Sequence, residues 1–87
     1  MKLIIAVIKD VDTEPVTKAL TAGNYRVTRI ASTGGLLRRG VATILIGLED
    51  DQVDGAIQII RTAATEGNND EKRATVFVVT VDRFSQI

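Results

Sequence analysis

The chain contains no cysteine and no histidine. The first absence excludes a disulfide framework and any thiolate metal site. The second removes the commonest general acid–base and the commonest metal ligand together. No Ser/His/Asp or Cys/His set can therefore be built, and no Gly-x-x-x-x-Gly-Lys-Ser/Thr phosphate loop occurs. Net charge is also lacking: 11 Lys and Arg offset 11 Asp and Glu, so no global field draws the chain onto nucleic acid or an anionic membrane. The apolar run Leu3 to Ile8 is cut by Lys9. It is too short to cross a bilayer and no small-residue cleavage site follows it. A buried first strand, no membrane insertion and a cytoplasmic location are the expectations. The carboxylate pairs Asp10/Asp12 and Asp50/Asp51 are best read as solvated charge at helix starts rather than as metal ligands or an acid–base couple. Neither an enzyme nor a bound cofactor or metal is expected.

What is present is periodicity. At 87 residues the chain is expected to form one domain, residues 1–87, with a modest core. Lys2 to Ile8 is β-branched and apolar on both parities, the pattern of a strand covered on both faces. Asp12 or Thr13 is placed to cap a helix whose first turn holds Glu14 and Pro15 and whose buried stripe is Val16, Ala19 and Leu20. Gly23 is placed to end it in a left-handed cap. Tyr25 to Thr33 alternates, with Tyr25, Val27, Arg29 and Ala31 opposite Arg26, Thr28 and Ile30, and such a half-polar strand belongs at an edge or beside a site. Val41 to Leu48 is a second apolar strand. Glu49-Asp50-Asp51 favours the dipole of a second helix with the stripe Val53, Ile57, Ile60 and Ala64. A polar loop, Glu66 to Lys72, leads to a last strand, Ala74 to Val81, and a short tail, Phe84 to Ile87.

The order is βαββαβ, an α+β pattern. Two helices on one face of an antiparallel four-stranded sheet give the ferredoxin-like sandwich. The second sheet face has a footprint on the order of 350 Å². That lies within the roughly 300–600 Å² of the largest apolar patch on an ordinary monomer, so area alone does not force association. Apolar residues on both parities of three strands do favour it.

The candidate binding region is Asn24 to Gly40. Arg26 and Thr28 share one face of a strand about 7 Å apart, and Asn24 shares their parity with both a donor and an acceptor. Gly34-Gly35 can expose backbone amides to a phosphate, Arg38 and Arg39 add charge nearby, and Gly47 permits close approach of a ligand or another backbone. The competing interpretation is an ordinary hairpin, with glycines for positive φ, arginines in solvent and Gly47 marking a bulge. Spacing alone leaves both open.

Several blocks carry a resemblance: Met1 to Ile8; Asn24-Tyr25-Arg26-Val27-Thr28; Ser32-Thr33-Gly34-Gly35-Leu36-Leu37-Arg38; Gly47; Asp50-Asp51-Gln52-Val53; Ala74 to Val78; and Val81-Asp82-Arg83-Phe84. In order and spacing the chain resembles the PII-like proteins of the cyclic-di-AMP receptor family. The resemblance implies a ferredoxin-like homotrimer whose sheets line a central cavity, with a nucleotide pocket between each pair of neighbouring subunits. It implies that Asn24, Arg26 and Thr28 contact base and phosphate, that Leu36, Leu37 and Gly47 form wall and backbone contacts beside Gly35, and that Phe77 and Gln86 come from the last strand and tail. Cyclic-di-AMP is the implied ligand, and an unidentified downstream protein would read the loops it alters.

Two departures bear on this. Leu36 stands where the family usually has an aromatic residue, removing a stacking contribution of about 0.5–1.5 kcal/mol. The loop before the last strand is short, with only Glu66 to Arg73, as is the loop between the second and third strands. The alternative is therefore a non-enzymatic PII-like trimeric interaction module that has lost nucleotide binding.

Overall fold

The computed structural model describes residues 1–30, 40–64 and 74–87. Strand β1 (Lys2–Lys9) leads through a 3-10 turn at Asp10–Asp12 into helix α1 (Thr13–Ala22). Strands β2 (Arg26–Ile30) and β3 (Val41–Leu48) follow, then a second 3-10 turn at Asp50–Gln52, helix α2 (Val53–Ala63) and strand β4 (Ala74–Thr80). The sheet runs β2-β3-β1-β4 with every neighbouring pair antiparallel, the ferredoxin-like order.

Alternation along β1 and β3 decides which face the helices cover. Ile4, Ala6 and Ile8 are buried and stand opposite Ile46, Ile44 and Ala42, also buried. Onto this face α1 presses Val16 and Leu20, and α2 presses Ala56 and Ile60. Val53 and Ile57 pack partly buried against the same cluster, as the stripe expected for α2 has it, while Ala64 falls just past the helix and Ala56 is buried in addition. Fully burying a side chain such as Ile60 contributes about 1.5–3 kcal/mol, more than any single polar contact described below.

Two termini differ from the expectation. No side chain caps α1 at Asp12: the chain enters through the 3-10 turn, and Thr13 is already the first helical residue. At the other end the left-handed residue is Asn24, at φ 69°, while Gly23 keeps φ −86°. The Tyr25 N–H donates to the Leu20 carbonyl at 3.0 Å and the Asn24 N–H to the Thr21 carbonyl at 3.0 Å, the paired bonds of a Schellman ending. The glycine is needed for room instead, because a Cβ at Gly23 would lie 3.1 Å from the Tyr25 ring. The turn before α2 carries a capping box, in which the Glu49 N–H donates to Gln52 Oε1 at 2.9 Å.

The described part of β2 ends at Ile30, and the rest of the alternating stretch, with the hairpin tip, lies outside the described residues. Arg26, Thr28 and Ile30 pair with Gly47, Leu45 and Thr43 on the face away from the helices. Arg29 points the other way, 3.8 Å from Glu14 at two exposed side chains, a contact that adds little.

Asn24→Ala places a Cβ-bearing residue without a local polar group in the left-handed region, and is expected to lower stability by about 1 kcal/mol. Asn24→Gly is expected to match or exceed the natural chain. Urea unfolding of the three proteins checks this, and the reverse ranking would rule out the assigned cap.

Candidate ligand-binding cleft

The helix-free face of the sheet is laid out in three rows. Arg26, Gly47, Leu3 and Val79 form one; Thr28, Leu45, Ile5 and Phe77 the next; Ile30, Thr43, Val7 and Thr75 the third. Over the β2 end of the first two rows lies a cleft of about 640 Å³, within the size range of small-molecule sites. Its floor is Arg26 and Thr28 from β2 and Leu45 and Gly47 from β3. One wall is Met1 to Leu3 and the other is the tail, where Val81 and Phe84 to Ile87 come alongside. The tail is brought there by the chain ends meeting: the Val81 N–H donates to the Met1 carbonyl at 3.0 Å.

Gly47 creates the depth. It sits between Arg26 on one side and Leu3 on the other. A Cβ there would meet only the Met1 methyl, at 3.5 Å, an ordinary contact. Folding therefore does not demand glycine at this rung, whereas an open floor does.

The lining is cationic and amphipathic. Arg26 is the cationic side chain on this face; Lys2 borders the cleft, but it shares the parity of Ile4, Ala6 and Ile8 and so belongs to the helix-covered face, and no acidic side chain lines the cleft among the described residues. The Lys2 ammonium donates to Thr80 Oγ1 at 2.9 Å. Thr28, Ser85 and Gln86 offer neutral hydrogen-bonding groups, and Leu3, Leu45, Val81 and Phe84 offer apolar surface. Phe84 is 65% exposed, a large apolar group left over the cleft. Such a lining suits an anion that carries flat apolar groups. The ion pair between the Met1 amino group and Asp50, at 3.7 Å, is exposed and weak. The hollow between α2 and β4, about 510 Å³, is lined mainly by aliphatic side chains with Arg61 and lacks this convergence. Among the described residues no cluster of three or more potential metal ligands occurs, and no described helix is long and apolar enough to cross a membrane.

Of the residues singled out in the sequence, Arg26, Thr28, Gly47 and Gln86 converge on this cleft. Asn24 is exposed at the end of α1 and does not line it. Phe77 shares a row with Thr28 but stands at the opposite edge of the sheet, three strand spacings or on the order of 14 Å away, and is 54% exposed. Gly35, Leu36 and Leu37 lie outside the described residues. Met1, Lys2, Leu3, Leu45, Val81, Phe84, Ser85 and Ile87 also line the cleft and were not singled out in the sequence. Leu3 and Leu45 were detectable only through the register that puts them beside Gly47.

Residues 1–70 match the model of the cyclic-di-AMP receptor family. The chain belongs to that family. The matched segment carries Arg26, Thr28 and Gly47, while β4 and the tail lie beyond it. A solved structure of a functionally unknown protein from Pediococcus pentosaceus extends the likeness. It is 30% identical, and the alignment covers 99% of this chain and 96% of that one at a TM-score of 0.80. The fold of this receptor-family chain, β4 and tail included, is thus shared over its whole described length.

Gly47→Ala is expected to hold or raise stability, by up to about 1 kcal/mol, since alanine relieves glycine's entropy cost and meets no obstruction. Chemical unfolding measures it. A loss greater than about 1 kcal/mol would mean that the glycine serves folding and not space.

Proposed function

We propose that this receptor-family member is a nucleotide sensor that binds cyclic-di-AMP, or a related adenine nucleotide, in a pocket completed by a neighbouring subunit of a homotrimer. The observation that carries the proposal is the convergence of Arg26, Thr28, Gly47 and Gln86 on one cleft in a chain of this family. A cyclic dinucleotide presents two phosphates and two purine faces. Arg26 supplies a planar fork of donors for a phosphate, which a lysine cannot match. Thr28 is one rung away, and Leu3, Leu45 and Phe84 are apolar surfaces on which a base can rest. Gly47 lets the ligand approach the sheet. Asn24, Gly35, Leu36 and Leu37 are included in the proposed contact set on the strength of the resemblance described above.

The edge positions of Thr28 and Phe77 favour a shared pocket. A single chain holds them on opposite edges of its sheet. Copies arranged head to tail around a threefold axis would bring the β4 edge of one to the β2 edge of the next, a heterologous contact that closes into a ring. The exposed apolar side chains Ile30, Phe77 and Val79 on the helix-free face supply the surface for that contact. The role is ligand binding rather than catalysis, in the cytoplasm, with one folded domain per subunit and a downstream protein reading the liganded state. A trimer that has lost its nucleotide is the second reading, favoured by the short connection 64–73 between α2 and β4.

Isothermal titration with cyclic-di-AMP is expected to give a Kd near micromolar or tighter, about −8 kcal/mol, at one nucleotide per chain. Arg26→Ala removes a charge-assisted bond of about 1.5–3 kcal/mol and is expected to weaken binding at least tenfold. Absence of heat at high ligand concentration, with a flat thermal-shift panel of nucleotides, would instead establish the interaction module.

A further inference from the structure

One tyrosine faces two glycines across the seam between α1 and α2. A Cβ at Gly55 would lie 2.6 Å from the Tyr25 hydroxyl oxygen but 3.9 Å from ring carbon Cζ. A Cβ at Gly23 would lie 3.1 Å from ring carbon Cε2. Neither glycine has a positive φ, so backbone freedom explains neither. Gly55 is in the first turn of α2, where glycine is the least favourable residue after proline. The space taken by Tyr25 accounts for Gly55, and Tyr25 together with the Ile59 Cδ1 methyl, 3.2 Å from the same Cβ position, accounts for Gly23. The Tyr25 hydroxyl is 3.5 Å from the Gln52 carbonyl oxygen, the outer limit of a hydrogen bond. The seat is therefore held by the shape of the ring, with Gly55 leaving room for its hydroxyl, and only weakly by that bond.

The wedge sits where the two sides of the cleft begin. Tyr25 directly precedes Arg26, the first residue of β2, and its own N–H closes the Schellman ending on Leu20. Gln52, over which the hydroxyl rests, closes the capping box with Glu49, two residues beyond Gly47. Arg26 and Gly47 are register partners. The ring thus ties the entry of β2 to the exit of β3, against the helix that follows.

The geometry points to Tyr25, seated by Gly23 and Gly55, as the positioning residue that sets Arg26 at the mouth of the cleft before any ligand arrives. This inference rests on the nucleotide reading given above for the cleft. A guanidinium held in place loses less freedom on binding than one that must be gathered from an unfixed strand end. A ring that merely filled the core would affect stability and leave affinity alone.

The steric detail supplies a rescue experiment on the assembled protein. Gly55→Ala drives the hydroxyl from its seat and is expected to weaken cyclic-di-AMP binding about tenfold in calorimetry. Tyr25→Phe alone removes only the marginal bond and is expected to bind within about threefold of the natural chain. The double variant Gly55→Ala/Tyr25→Phe is expected to regain that affinity, since the new methyl then meets only ring carbon at an ordinary distance. Gly23→Ala crowds the ring itself, so its weakening is expected to persist when Tyr25→Phe is added, and it stands in should Gly55→Ala fail to fold. Amide NMR shifts of Arg26 and Gly47 without ligand are expected to move in Gly55→Ala and return in the double variant. Natural-strength binding by folded Gly55→Ala, or a double variant that stays weak, overturns the inference. Should the natural chain bind no nucleotide, the reading of the cleft fails separately. The ligand-free shifts then decide the wedge: moved and restored supports it, unmoved overturns it.

Discussion

With Ile46 opposite Ile4 on one side and Val27 on the other, β3 is held between two strands by a register that fixes both faces of the sheet at once. A slip of one residue would turn Ile44 and Ile46 away from the helices and expose them, while carrying Gly47 off the face that bears Arg26. The core therefore enforces the cleft. Burial of the four residues Ile4, Ile44, Ile46 and Ile60 is worth several kcal/mol in aggregate, and a slip of β3 forfeits the share of Ile44 and Ile46. Nothing in the cleft itself needs to be strong for it to be well defined.

The same alternation leaves the sheet with a second face that no helix covers. Leu3, Ile5 and Val7 are half-buried there, while Phe77 and Val79 are open to solvent. β4 is an edge strand, and its sequence from Ala74 to Thr80 carries no charge, proline or glycine. Edges of that kind invite pairing with another chain. The proposed trimer would turn this liability to use by bringing an unprotected edge toward the β2 side of the cleft.

Much of this was legible from local pattern. The bounds of β3 agree with the hydrophobic run, and the helix stripes at Val16/Leu20 and Ile57/Ile60 follow from their spacing. Arg26, Thr28 and Gly47 were recognisable because parity and a lone strand glycine are visible residue by residue. The cleft's outer walls were not, since they depend on the meeting of Met1 with Val81 and on pairings between distant segments. The α1 ending shows a different limit. Glycine is the default for a left-handed cap, yet the positive φ falls on Asn24, and Gly23 stands one residue earlier where a Cβ would crowd Tyr25 and Ile59.

On the proposed reading an anionic nucleotide binds on the helix-free face, over the Arg26–Gly47 rung. Amide NMR of the labelled protein titrated with cyclic-di-AMP tests it most directly. Shifts are expected at Arg26, Thr28, Gly47, Ser85 and Gln86, with Ala19, Gln58 and Thr62 on the outer helical surface unmoved. Perturbation confined to the helical surface, or none at saturating nucleotide, would contradict it.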